Sequence, residues 1–165
     1  MILGLSIETF TLLHLIISLV AIAAGLVVVA GMFSSCGLTG WTALFLVATV
    51  LTSVTGLMFP ISVVTPAVLF GFISLVVLAP ALIALCVFRL VGAWRLVYVI
   101  GALFALYLNV FVAVVQAFQK WPPLQDLAPT QSEPPFLIAQ PLLLLMFLAV
   151  GFAAVLRFRP MRVIA

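Results

Sequence analysis

Few side chains in this sequence could do chemistry, and His14 is the first of them. It is the single histidine of the chain, and a neutral imidazole can both donate and accept a hydrogen bond. The other candidates are the hydroxyls of Ser53 and Thr55 and the amides of Gln116 and Gln140. Histidine and amide donors suit the carbonyl oxygens of a quinone headgroup. The five residues therefore predict a binding site for a small hydrophobic ligand.

The same inventory contains no catalytic or metal-ligating set. One histidine and three acidic residues, Glu8, Asp126 and Glu133, are too scattered to form a nucleophile–base pair or a metal site. A hydroxyl working with His14 would need Glu8 or Glu133 to orient the imidazole. Glu8 lies six residues from His14, on a different face of an ideal helix. We therefore assign no catalytic residue and no metal ligand.

Haem fits these residues less well than a quinone. Bis-histidine ligation needs a second histidine, so one haem would have to be shared by a symmetric dimer. Met58 offers a different type of axial ligand. The identity of the ligand stays open at this point.

The composition shows which solvent surrounds these candidates. Of the 165 residues, 68% are hydrophobic and 5% are charged, whereas a soluble domain carries roughly 25% charged residues. Six Lys and Arg are too few and too dispersed to track a phosphate backbone, which argues against a nucleic-acid partner. The composition predicts an integral membrane protein whose main partner is the lipid bilayer.

The apolar runs predict a single all-α domain of five transmembrane helices. A span needs about 20 apolar residues, and the predicted spans are 10–33, 41–58, 67–88, 96–118 and 136–156, with a loop at 119–135. The run from Trp41 to Phe88 carries no charge. As one helix it would be about 72 Å long, far more than the hydrocarbon core of about 30 Å. Pro60 and Pro66 therefore mark a turn that divides it into two spans.

The charges predict the orientation. Arg89, Arg95, Arg157, Arg159 and Arg162 fall on one side of a five-span bundle, whereas Lys120 and all three acids fall on the other. Because Lys and Arg concentrate in cytoplasmic loops, the C-terminus is predicted to be cytoplasmic and the N-terminus outside. The tryptophans fall at predicted span ends, as an aromatic belt requires.

Small and polar residues follow single helix faces and are predicted to pack against neighbouring helices. These faces comprise His14, Ser18, Ala21 and Gly25 on span one, Thr49, Thr52, Ser53 and Gly56 on span two, and Ala102, Ala105, Asn109, Ala113, Gln116 and Lys120 on span four. The five candidate side chains are predicted to share one depth near the outer leaflet. The alternative interpretation is that they only form hydrogen bonds between helices, worth roughly 0.6 kcal/mol each.

The stretch "PTQSEPPF" in the outer loop is predicted to form a rigid lid over this polar layer. Ser132 is a helix-capping residue type, and the two prolines that follow Glu133 suit a first helical turn. Thr130 and Glu133 have the spacing of a capping box, although Pro134 disfavours helix at Glu133. The lid residues would be Thr130, Ser132 and Glu133.

The stretches "TSVTGLMFPISVVTPA", "ALYLNVFVAVVQAFQK" and "APTQSEPPFLIAQ" resemble a family of small bacterial inner-membrane proteins with no assigned function. The resemblance covers most of the chain from Thr52 to Pro160. It implies a multi-pass protein of the bacterial inner membrane and identifies no functional residue.

Three classes of function follow from these observations. The first is binding of a small hydrophobic ligand such as a quinone. The second is a structural or assembly subunit, as a homo-oligomer or in a larger membrane complex, because the chain is small and has packing faces but no soluble domain. The third is a transporter or channel, which the sequence favours least because no predicted span contains an acidic residue for ion coupling.

The orientation can be tested with reporter fusions. A reporter that is active only in the periplasm should be active when fused after Asp126 and inactive when fused after Arg162. The reverse pattern of activity would contradict the predicted orientation.

Overall fold

The protein is described here by a computed structural model that covers residues 2–59 and 66–159. Six helices follow in chain order: α1 (Ile7–Phe33), α2 (Thr39–Leu57), α3 (Pro66–Cys86), α4 (Trp94–Lys120), α5 (Pro122–Gln125) and α6 (Pro134–Arg157). Five of them are long and apolar enough to cross a membrane. The prediction of an all-α, five-helix bundle is confirmed. The predicted turn at Pro60 and the basic residue Arg162 lie outside the described residues.

Local sequence explains where several helices begin. The hydroxyl of Ser6 accepts a hydrogen bond from the backbone N–H of Thr9, 3.1 Å away, so α1 begins before the predicted residue 10. α6 begins at Pro134, and Glu133 is its N-cap residue without a capping side-chain hydrogen bond. The predicted cap by Ser132 is therefore wrong. Two prolines open α6 and lack N–H groups, so little remains there for a side chain to cap.

The helices form a bundle in which α4 is central. α4 packs against α1, α2, α3 and α6, while α1 and α3 do not contact each other. Nine residues of α4 are buried, but only Leu143 and Ala154 of α6 are. α6 therefore lies on the outside of the bundle against α4, with most of its surface available to lipid.

The hydrophobic core occupies only one half of the bundle. Its members come from the second halves of α1, α3 and α6 and from the first halves of α2 and α4, among them Val28, Met32, Phe45, Leu46, Leu78, Val99, Leu103 and Ala154. We call this half the inner half, because Arg89, Arg95, Arg157 and Arg159 lie at its end. The other half, which ends at α5 and its loop, is the outer half.

Small residues allow the helices to approach closely in the inner half. A Cβ atom on Gly25 would lie 2.6 Å from a methyl carbon of Leu106 and 2.9 Å from the ring of Phe45. A Cβ atom on Gly101 would lie 2.9 Å from the Cβ of Ala81. Gly25 belongs to the predicted packing face on α1, so that face is used at its inner end.

The C-terminal end of α6 is tied to the rest of the bundle by polar contacts. Arg95 donates from Nη1 to the carbonyl of Val155, 3.0 Å away, and also to the carbonyl of Phe158. The hydroxyl of Ser35 donates to the carbonyl of Arg157 at 2.9 Å. These contacts satisfy carbonyls that the last turn of a helix leaves free.

Replacing Gly25 with alanine tests the close packing. The added methyl group would overlap two buried side chains, so we expect Gly25→Ala to lower the free energy of unfolding by about 1–3 kcal/mol. Thermal unfolding in detergent measures this change. The matched control is Gly40→Ala, because a Cβ atom on Gly40 meets nothing within 4 Å, and its stability should be unchanged or raised. Equal stability of the two variants would contradict the packing argument.

Candidate functional site

Hydroxyl groups on the outer half of α2 are anchored to their own helix. Thr49 donates to the carbonyl of Phe45, Ser53 donates to the carbonyl of Thr49, and Thr55 donates to the carbonyl of Leu51. Each hydroxyl thereby donates its hydrogen to a carbonyl of its own helix, as serine and threonine commonly do in apolar surroundings. Their oxygen atoms keep the capacity to accept a hydrogen bond.

His14 makes a hydrogen bond with one of these hydroxyl oxygens. Its Nδ1 lies 2.7 Å from the hydroxyl oxygen of Thr55, which itself lies 2.7 Å from the carbonyl of Leu51. Because the Thr55 hydrogen is directed to that carbonyl, Nδ1 of His14 carries a hydrogen and donates it to Thr55. Nε2 is then left as an acceptor, and it has no hydrogen-bond partner in the described part of the chain.

The ring of His14 is held from two further sides. It makes an edge contact with Phe59, with ring centres 5.4 Å apart. A Cβ atom on Gly56 would lie 3.5 Å from Cε1 of His14, an ordinary van der Waals distance, so the ring also lies close to α2 at this glycine. A hydrogen bond and an aromatic contact therefore orient the imidazole.

The outer half of the bundle contains a cavity of about 690 Å³ between α1, α2, α3 and α4. This size falls in the range of small-molecule sites, about 300–1,000 Å³. Most of the lining is apolar, with a limited number of polar groups, which is typical of such sites. The polar lining residues are Thr11, His14, Ser18, Thr52, Ser53, Ser74, Asn109, Gln116 and Lys120.

Two of the lining hydroxyls have no hydrogen-bond partner among the described residues. Ser74 is 2% exposed and its hydroxyl oxygen is buried, and the hydroxyl oxygen of Thr52 is buried as well. A buried polar group without a partner costs about 1–3 kcal/mol. Both hydroxyls can donate as well as accept, and both residues belong to the cavity wall.

The polar groups extend from the outer end of the bundle to the middle of the helices. Gln116 and Lys120 lie in the last two turns of α4, and Trp121 lies at the mouth beside them. Asn109 lies about 16 Å below the outer end of α4 at 1.5 Å per residue. Its amide donates to the hydroxyl of Thr49 at 3.3 Å, so Asn109 also ties α4 to α2.

Three of the five predicted site residues line the cavity: His14, Ser53 and Gln116. Thr55 stands behind His14 and accepts its hydrogen bond. Gln140 is on α6, which contributes no residue to the lining. Both polar atoms of its amide are buried and have no hydrogen-bond partner within residues 2–59 and 66–159.

The predicted lid residues lie outside the cavity lining and bind one another. Oε1 of Glu133 accepts from the hydroxyl of Thr130 at 2.8 Å and from its backbone N–H at 3.1 Å. Oε2 accepts from the N–H of Ser132 at 3.1 Å. Desolvation raises the pKa of Glu133, but these hydrogen bonds outweigh it and hold the pKa below its usual range.

Met58, the methionine considered as an axial ligand for haem, also lies outside the cavity lining.

Ser74 is not among the predicted site residues, although the sequence of α3 contains one signal for it. It is the single hydroxyl-bearing residue of α3, and a lone polar residue in a long apolar helix is expected to face other helices or a cavity. The sequence pattern places Thr52 and Lys120 on packing faces and not in the site. Whether they line a cavity depends on the distance between neighbouring helices, and the pattern within a single helix does not give that distance.

A pair of serine variants tests whether the Ser74 hydroxyl is unpartnered. Ser74→Ala removes a group that costs free energy, so its unfolding temperature in detergent should be unchanged or raised. Ser53→Ala removes a hydroxyl that donates to a carbonyl, and should lower the unfolding free energy by up to about 1 kcal/mol. Equal destabilisation of both variants would show that Ser74 has a partner within the protein.

The described residues contain no group of three or more His, Cys, Asp or Glu that could hold a metal ion. Comparison with protein-family models, curated proteins and solved structures found no match to this chain. The polar cavity is the feature of the described structure that bears most directly on function.

Proposed function

We propose that this protein is a multi-pass protein of the bacterial inner membrane that binds a small hydrophobic ligand with carbonyl oxygens, such as a quinone, in the outer cavity. The observation that carries the proposal is the buried, unpartnered hydroxyl of Ser74 in the cavity wall. A carbonyl oxygen is the complementary partner for such a donor. Thr52 and Gln116 add further donors around the same space.

The packing of the bundle supports binding over conduction. The cavity is confined to the outer half, whereas the inner half is filled by buried side chains such as Val28, Phe45 and Val99. A channel would need a polar path through this region. A cavity confined to the outer half suits a molecule that enters, binds and leaves within that half of the membrane.

The distribution of charges supports the orientation. Four of the six basic residues lie at the inner end, and basic residues favour the cytoplasmic side. The cavity would then open towards the periplasmic side of the membrane, with Lys120 at its mouth. The predicted resemblance to small bacterial inner-membrane proteins agrees with this placement.

Ligand binding can be measured on the purified protein with a benzoquinone that carries one prenyl unit as the probe. Native mass spectrometry should detect one quinone per chain in the wild type. We expect Gln116→Leu to bind the probe about three- to tenfold more weakly, because it loses a hydrogen-bond donor worth about 0.5–1.5 kcal/mol.

Gln140→Leu is the matched control, because Gln140 is also an intramembrane glutamine but lies away from the cavity. It should bind the probe as well as the wild type. Loss of binding in Gln140→Leu but not in Gln116→Leu would place the ligand elsewhere. Absence of any quinone adduct on the wild type would contradict the proposal.

A second candidate function is that of a structural or assembly subunit. An apolar groove of about 290 Å³ runs between α4 and α6 and is lined by side chains such as Phe104, Leu144, Leu148 and Phe152. Another transmembrane helix could pack along it. Isolation from the membrane in a fixed ratio with a second protein, together with a ligand-free mass, would favour this function over ligand binding.

A further inference from the structure

The packing of α4 changes abruptly halfway along its length. Between Tyr98 and Leu108 most residues are buried, whereas no residue from Asn109 to Ala117 is buried. α1 shows the same change in the opposite chain direction. Its inner half contains buried residues from Ala21 onward, but none lies between Phe10 and Ala21.

These two loosely packed stretches face the same cavity. α1 and α4 touch where Gly25 meets the side chain of Leu106. Beyond that contact, Ser18 and His14 on α1 and Ala113 on α4 line the cavity instead of packing together. The two helices therefore separate towards their outer ends and leave a gap between them.

The rim of this gap is apolar and open to the lipid. Leu15 and Leu19 line the cavity and yet are 50% and 55% exposed. Both belong to the first half of α1, at a depth where the surroundings of a transmembrane helix are acyl chains. Val112 lines the α4 side. A hydrocarbon chain could lie between these side chains without meeting a charge.

The unpartnered donors lie on the other helices of the cavity wall. Thr52 belongs to α2 and Ser74 to α3, whereas Leu15 and Leu19 belong to α1. A polar group at these two hydroxyls and a hydrocarbon chain at Leu15 and Leu19 would lie against different helices of one cavity. This arrangement matches an amphiphile with a compact head and an extended tail.

We infer that the ligand is a lipid-dissolved amphiphile that enters sideways between the outer halves of α1 and α4. Its head lies against Thr52 and Ser74, and its tail remains in the gap beside Leu15 and Leu19. This inference rests on the proposed function and adds the route and the orientation of the ligand. A water-borne solute would instead enter at the outer end, past Lys120 and Trp121.

Photocrosslinking in lipid vesicles tests the position of the tail. Leu19 is replaced by the photoreactive amino acid p-benzoylphenylalanine, and the probe is a benzoquinone with a multi-prenyl tail. The matched control carries the same replacement at Ile16, which is equally exposed on α1 but does not line the cavity. Binding of the probe to each variant is measured separately by native mass spectrometry.

The expected result is a quinone adduct several-fold more abundant at position 19 than at position 16. The excess should disappear in the Thr52→Val, Ser74→Ala background, because the head then loses both of its donors. Equal adducts at both positions, with binding retained, would overturn the lateral route and leave the proposed function standing. Failure of the variants and the wild type to bind the probe would overturn the proposed function itself.

Discussion

The close approach of α1, α2 and α4 around Gly25 is the contact on which the rest of the bundle depends. The side chains of Leu106 and Phe45 fill the space that a Cβ atom would take. In lipid, helices gain little from removing apolar surface from their surroundings, so van der Waals packing must hold them together. A glycine at this point lets three helices share one contact, and the core of the inner half forms around it.

Tight packing at one end leads to separation at the other. No residue of α4 from Asn109 to Ala117 is buried, and the residues that α1 and α4 contribute to the cavity there include small and polar ones. His14, Ser18 and Ala113 stand where larger apolar residues would close the bundle. The cavity is thus the consequence of where the small residues on α1 and α4 are placed.

Hydrogen bonding then decides which polar groups are available in this cavity. Thr49, Ser53 and Thr55 direct their hydrogens to carbonyls of α2, and Thr55 also orients the imidazole of His14. Ser74 and Thr52 have no such partner among the described residues. The helices around the cavity therefore combine hydroxyls that are anchored to α2 with unpartnered hydroxyls on residues of the cavity wall.

Sequence alone determined the class, the number of helices and the regions that hold the polar groups. A long apolar run in lipid can satisfy its backbone hydrogen bonds only as a helix, so the lengths of the runs were sufficient to count the helices. Periodicity was sufficient to place His14 and Gln116 on inward faces. Depth along the helices also grouped Gln140 with these two residues, although Gln140 lies on α6, away from the cavity.

Only the tertiary structure decided which inward faces meet and which stay apart. Depth follows from position along one helix, but lateral position depends on the order of helices around the bundle, and no pattern within a single helix records that order. The pairing of His14 with Thr55, across 41 residues, depends on it. So does the importance of Ser74, whose helix carries no other hydroxyl and whose lack of a partner follows from packing between helices rather than from its own sequence.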